Sequence, residues 1–286
     1  MIKPYFPQVK HENNGMSVMI KKYGVNREDE MNDLTPGRLA GFHSAGILLD
    51  LETAEQNIIA VIGCGGKTTL ISSLANELRY KKVLVTTTTK IYPVAGKDII
   101  VCTTEQDCLK HKPVNGIQCL GVLNGLGGKL EALRADLLEE IIQHYDLVLI
   151  EADGSKTLPC KGWRPDEPVI PQYCTHIIGV ASMAALGKPA DENTVHRLPE
   201  FLKLTGLRRG EIISIKALTD MITADNGMFR NALDTTGKKS IFVNNADDEA
   251  NAAIAKKMLT GIEEAQPGVY ACLAYGSVQL NKFRIR

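Results

Sequence analysis

The chain has no run approaching the roughly 20 apolar residues that a membrane helix requires. Its opening, MIKPYFPQVKHENNG, carries no apolar segment of the kind found in a secretory leader. Net charge is missing too. Lys+Arg and Asp+Glu both number 33, so bulk charge points neither to nucleic acid nor to an anionic membrane. The seven cysteines, at 64, 102, 108, 119, 160, 174 and 272, form no CxxC pair. Odd in number and irregular in spacing, they argue against a zinc ribbon or a disulfide framework and fit a reduced, cytoplasmic protein. The six histidines form no HExxH motif. What is present is ordinary for a globular chain: 286 residues, 44% hydrophobic and 23% charged. That excludes a mainly disordered or fibrous protein and suffices for one large domain or two small ones.

Residues 1–45 stand apart from the rest. They hold Pro4, Pro7, Pro36 and the charged run Asn26–Asp33, and read as a poorly packed N-terminal extension with MSVMIKKYGV as one short strand. From about Ile47, short apolar strands alternate with amphipathic helices. Strands are expected at Asn57–Ile62, Lys82–Thr86, Ile99–Cys102, Ile117–Leu123, Leu147–Ile150, His176–Val180, Ser240–Asn244 and Val269–Tyr275. Helices are expected at Thr68–Tyr80, Leu130–His144 and Asp247–Ile262. Strands that are apolar throughout suit a sheet covered on both faces, and the alternation with helices suits a mostly parallel one. Pro159, Pro165, Pro168 and Pro171 mark an irregular loop region over about 155–210, and long loops of this kind are often functional.

The strongest motif is Asn57–Leu70, NIIAVIGCGGKTTL: a strand, a glycine-rich turn, then Lys-Thr-Thr opening a helix. Glycines let backbone N–H groups curl around a phosphate, and the helix N-terminus adds unpaired donors. Gly63, Cys64, Gly65, Gly66, Lys67, Thr68 and Thr69 are therefore the expected nucleotide-binding segment. Lys67 would reach the β/γ-phosphates, and Thr68 would place its hydroxyl on Mg²⁺. The spacing departs from GxxxxGK[ST], which would need glycine at Val61. It matches a shorter form, Gly63-x-x-Gly66-Lys67-Thr68, similar to the GTNGKTT-type loop of the Mur ligases. The ligand is ATP or GTP with Mg²⁺. The fold that follows is α/β: a mostly parallel sheet flanked by helices over residues 46–286, in the three-layer manner of P-loop NTPases. Cys64 lies near a helix N-terminus and Lys67, surroundings that lower a thiol pKa; a plain role as small loop filler competes with that reading. A second GLGGKL at Gly125–Leu130 has no Ser or Thr after Lys129 and reads as a turn and helix start.

Four further stretches carry candidate chemistry. HYDLVLIEADGS ends an apolar strand in Glu151 and Asp153, a Walker B arrangement. One acid would bind the metal, directly or through water, while the other orients water or substrate; an Asp-Gly turn is the plainer alternative. VTTTTK ends the next strand, with Thr88 and Lys90 as candidates for phosphate or Mg²⁺ and local turn bonds as the alternative. In IFVNNAD, Asn244 and Asp247 have the spacing of the guanine-reading NKxD motif of GTPases, with Asn245 in place of its lysine. The alternative is a strand-to-helix loop with Asp247 as N-cap. In VHR, His196 is a candidate acid/base group and Arg197 an anion clamp, a surface role being equally open.

VIGCGGKTTL, LVTTTTKIYP, DLVLIEADGSKTLPCK, EPVIP, VHR and VNNAD occur in that order. The set resembles the YqeC family, accessory proteins of selenium-dependent molybdenum hydroxylases also described as selenium cofactor biosynthesis proteins. The resemblance spans about Ile47–Val278 and is most specific at EADGS–LP–K and EPVIP. It implies functional positions at Gly63, Gly66, Lys67, Thr68, Thr86 to Lys90, Glu151, Asp153, Ser155, Lys161, Glu167, His196 and Arg197. The loops bearing Ser155, Lys156, Lys161 and Glu167 would meet a second substrate or partner. Two departures stand out: Cys64 replaces a usual Ala or Gly, and the first 45 or so residues inherit no function. The resemblance implies a Mg²⁺-dependent NTPase or NTP-using enzyme in the maturation of a selenium-dependent molybdenum hydroxylase cofactor. Its partners would be the hydroxylase or its cofactor-maturation proteins. Two other uses of the same loop stay open: a Mur-type ligase or small-molecule kinase, and a GTPase-like switch that gates cofactor delivery.

Overall fold

The computed structural model describes residues 44–48, 56–93, 100–102, 104–123, 128–232 and 235–286, all within the compact unit 38–286. The strand expected in MSVMIKKYGV and the first half of the GLGGKL turn lie outside them.

Nine strands form one sheet: β1 (Asn57–Gly63), β2 (Lys82–Thr87), β3 (Ile100–Cys102), β4 (Gly116–Leu120), β5 (Leu147–Glu151), β6 (His176–Ser182), β7 (Lys238–Asn244), β8 (Cys272–Ser277) and β9 (Lys282–Ile285). Their order is β9-β8-β7-β6-β1-β5-β2-β4-β3. All neighbours are parallel except β8 and β9. The helices are α1 (Lys67–Glu77), α2 (Glu105–Lys110), α3 (Ala135–Ile142), α4 (Leu198–Thr205), α5 (Ile215–Thr223) and α6 (Glu249–Ala265).

The sequence of β1 explains the layering. All its residues are buried, yet they divide by parity. Ile58, Ala60 and Ile62 join a core with Leu138 and Ile141 of α3, Met221 of α5 and Leu259 of α6. Ile59 and Val61 join a second core with Leu70, Ile71 and Leu74 of α1. Alternate side chains of a strand point to opposite faces, so an unbroken apolar run needs cover on both. The result is an α/β architecture with a large, mostly parallel sheet between helical layers, compatible with a P-loop NTPase layout. All seven cysteines are free thiols. No helix among the described residues is long and apolar enough to cross a membrane.

Local boundaries differ from expectation in places. The helix expected over Leu130–His144 begins at Ala135. Leu130–Glu131 instead pairs antiparallel with Lys90–Ile91 and Val122–Leu123. The stretch 155–210 holds, besides its loops, β6, α4 and a short parallel pair, Cys160–Lys161 with Val195–His196. Helices α2, α4 and α5 and strand β9 escape the periodicity. Pro199 in the first turn of α4 is compatible with a helix start, but in a proline-rich stretch it reads as a loop.

The register brings particular residues to the carboxyl edge, where α/β sheets bind ligands. Val61 and Thr87 both lie level with Glu151, Gly63 lies level with Val180, and Ser182 with Asn244.

Candidate functional site

At the end of β1 the chain turns through Gly63 (φ 99) and Gly66 (φ 135), a region L side chains rarely adopt. Space forbids a side chain as well. A Cβ on Gly63 would lie 2.1 Å from the Val180 carbonyl oxygen, and one on Gly66 would lie 2.3 Å from Asn244 Nδ2. Between them Cys64 is fully buried, and its N–H donates to Val180 O at 2.9 Å. Cys64 lies against Cys160, and that contact, with Lys67, outweighs burial and holds the Cys64 thiol below its ordinary range, as its surroundings in the sequence suggest; being fully buried, it also fills the loop. Helix α1 starts at Lys67 with Gly66 as its N-cap and no side-chain cap. Its first N–H groups, with those of Thr68 and the exposed Thr69, open at the sheet edge.

Lys67 is 4% exposed. Its Nζ donates to Gly63 O at 2.6 Å and lies 3.3 Å from Asp153 Oδ1. Thr68 Oγ1 donates to Glu151 Oε2 at 2.8 Å. The two acids thus hold separate stations. Glu151 ends β5 beside the threonine. Asp153, fully buried, accepts from the Gly63 N–H at 3.1 Å and from Trp163 Nε1 at 2.8 Å. Burial raises the Glu151 carboxyl, and Lys67 and Thr68 offset this only in part, so its pKa lies above the ordinary carboxylate range. Burial pushes Asp153 up as well, but Lys67, Lys161 and the Trp163 N–H outweigh it and hold Asp153 below that range. Burial pulls Lys67 down, and Asp153 and Glu151 reverse this, leaving its pKa raised. The surroundings thus drive the two neighbouring carboxyls apart in opposite directions.

Asp153 belongs to a row of alternating charges. Lys161, fully buried, donates to Asp153 Oδ2 at 3.0 Å and Gly154 O at 2.7 Å, and lies 3.5 Å from Glu167 Oε2. Arg197 donates to Glu167 Oε1 at 2.5 Å. The row is therefore Lys67–Asp153–Lys161–Glu167–Arg197, and such charges survive burial only when paired. Trp163 was missed in the sequence reading. Its signal was available: it is the chain's one tryptophan, two residues after Lys161. His196 lies on the strand beside Cys160–Lys161. Burial, then Lys161, Arg197 and Lys156, lowers its pKa to about 4, so at neutral pH the imidazole is uncharged, with one ring nitrogen a donor and the other an acceptor. Ser155 is half-buried, and Lys156 is exposed with φ 51.

The threonine run joins strand ends. Thr86 Oγ1 donates to Leu120 O at 2.9 Å, Thr87 Oγ1 to Glu151 O at 2.8 Å and Thr88 Oγ1 to Val169 O at 2.7 Å. Lys90 is exposed and paired with Glu131. Across the site, Asn244 Nδ2 donates to Gly65 O at 2.8 Å, and its Oδ1 accepts from the Val278 N–H at 3.0 Å. Asp247 is exposed. The N-cap of α6 is Asp248, which accepts from the Asn251 N–H at 2.8 Å, so the capping alternative for Asp247 falls to its neighbour. Ser182, also missed, packs against Gly65 and donates to Asn245 Oδ1 at 2.7 Å.

Among the described residues, no group of three or more His, Cys, Asp or Glu side chains is arranged to hold a metal. The Thr68–Glu151 pair fits a hard divalent cation that takes its other oxygens from a ligand and water, as Mg²⁺ does with nucleotides.

A family model described as "YqeC protein" matches residues 59–199. The chain is also 28% identical, over 223 residues, to the "Uncharacterized protein YqeC" of Escherichia coli (strain K12); the match covers 75% of this chain and 86% of that relative. The family match takes in the loop at 63–68, both acids and the charge row through Arg197, and ends before Asn244.

Proposed function

The chain belongs to the YqeC family, and from that premise we propose that it binds a nucleoside triphosphate with Mg²⁺ at residues 63–69 and couples it to a reaction in the maturation of a selenium-dependent molybdenum hydroxylase cofactor. The carrying observation is Thr68 Oγ1 at 2.8 Å from Glu151, beside a buried Lys67 at the uncapped start of α1.

Each residue has a task in this reading. The open N–H groups of the loop and of α1 receive phosphate oxygens. Lys67 turns Nζ from Gly63 O to a phosphate. Thr68 and Glu151 hold the cation, Glu151 directly or through water. When bound, Mg²⁺ would draw charge from the β- and γ-phosphate oxygens. Asp153 keeps to the protein side: it holds the Gly63 N–H and balances Lys67 and Lys161, so the loop keeps its shape. Lys161 and Glu167 support the face at which Ser155, Lys156, His196 and Arg197 meet a second substrate or a partner, the hydroxylase or one of its cofactor-maturation proteins. The place of action is the cytoplasm. The pathway rests on the family resemblance and the nucleotide step on the site.

The test is calorimetry of the full chain with MgATP and MgGTP, beside Lys67→Ala. Losing the ammonium should weaken binding of the preferred nucleotide by about 100-fold, as for a charge-assisted contact worth roughly 3 kcal/mol, with the far-UV CD spectrum unchanged. Equal affinity of the two proteins would remove the phosphate-loop assignment. Product analysis with and without added acceptors then separates hydrolysis from transfer.

A further inference from the structure

Given the proposed nucleotide site, on which this step rests, we infer that the base it takes is guanine, read by Asp247. The cation pair Thr68–Glu151 sets the direction in which a nucleotide must lie. Glu151 belongs to β5, on one side of β1, so the terminal phosphates are held on that side. The nucleoside then leaves the loop towards the opposite side, over the carboxyl ends of β6, β7 and β8.

There the structure is braced in an unusual way. The side chain of Asn244, 3% exposed, joins three segments: it ends β7, donates to Gly65 O in the phosphate loop, and accepts from the Val278 N–H just beyond β8. Gly66 leaves room for the same two residues, since a Cβ there would lie 2.3 Å from Asn244 Nδ2 and 3.5 Å from Val278 Cγ2. The glycine-rich loop and the loop after β7 are therefore tied together through the Asn244 side chain. Asn245 adopts φ 64, and the Ala246 N–H is held by Gly276 O at 2.8 Å. These contacts fix the path to Asp247, the next residue. Of the three consecutive acids, Asp248 caps α6 and Glu249 pairs with Arg284 at 3.0 Å. Asp247 carries neither duty and is exposed.

A carboxylate reads guanine by accepting from N1–H and the exocyclic 2-amine together. Adenine offers it an unprotonated N1, a second acceptor, so the same oxygens repel it. The position usually given to a lysine stem along the base is occupied by Asn245, whose Oδ1 is taken by Ser182 at 2.7 Å. Discrimination therefore falls on Asp247.

The experiment is calorimetry of the full chain and of Asp247→Asn with the Mg²⁺ complexes of GTP, ATP and XTP and with inorganic tripolyphosphate. The expected wild-type result is GTP binding at least about tenfold tighter than ATP, as for a site built on base hydrogen bonds. Asp247→Asn should lose about tenfold or more for GTP and gain for XTP, because an amide donates to the C2 carbonyl of xanthine where a carboxylate repels it. Tripolyphosphate affinity should not change, since Asp247 does not touch the phosphate loop. Equal binding of ATP and GTP, or a variant with unaltered preference, overturns the base assignment and leaves the phosphate site standing. Binding of none of the four probes overturns both.

Discussion

Replacing Lys161 with methionine removes one charge from the middle of the buried row and keeps the length of the stem. The ammonium is lost from 3.0 Å of Asp153, 3.5 Å of Glu167 and 2.7 Å of Gly154 O. Breaking one side of a buried ion pair costs about 3–5 kcal/mol. Here the remaining partners soften the loss. Asp153 keeps Lys67, the Gly63 N–H and Trp163, and Glu167 keeps Arg197. The low end is therefore expected for the pairs, and the orphaned carbonyl adds about 1 kcal/mol. A total of about 3–4 kcal/mol is a large share of the roughly 5–15 kcal/mol that holds a domain together. Urea titration should show an earlier midpoint with an unchanged slope. Trp163→Phe, which removes one N–H to Asp153, should cost less, about 1.5–3 kcal/mol. The pH dependence follows from Asp153. Its folded pKa is depressed, so its contribution is complete above the unfolded value of about 3.9 and is lost as pH falls through the folded pKa. The difference between wild type and Lys161→Met should accordingly shrink below about pH 4. A variant within about 1 kcal/mol of wild type at pH 7 would show that the row adds nothing net and would refute the reasoning.

Glu151→Gln should raise stability at pH 7 by about 1 kcal/mol and, on the proposed function, remove Mg²⁺-dependent turnover. Burial holds this carboxyl's folded pKa above its unfolded value, so ionising it costs stability as pH rises, and the amide still accepts from Thr68; a lower melting temperature at pH 7 would contradict this. His196 should stay neutral until well into acid, its imidazole NMR signals titrating near pH 4. Its depressed pKa means that stability is lost as pH falls from about 6.5 towards 4, and His196→Gln should remove that part of the acid sensitivity; an imidazole titrating near 6.5 would contradict the burial and charge argument.

The glycine-rich turn after β1, the acid-ended strand and the parallel-sheet architecture were legible because each is written in contiguous residues. Glycines at 63 and 66 meet a backbone demand of their own positions, and the apolar run of β1 states that both its faces are covered. The separate surroundings of Glu151 and Asp153 were not legible, since strand alternation treats them alike. Only the packing of Trp163 and Lys161 around Asp153 sets them apart. A buried lysine runs against its ordinary preference for solvent, and Lys161 gains its place only where the tertiary fold puts Asp153 between it and Lys67. The bond from Asn244 to Gly65 spans 179 residues. Its spacing to Asp247 was visible in the sequence, but its grip on the loop was not, because the order β7-β6-β1 that brings the two together is a property of the whole sheet.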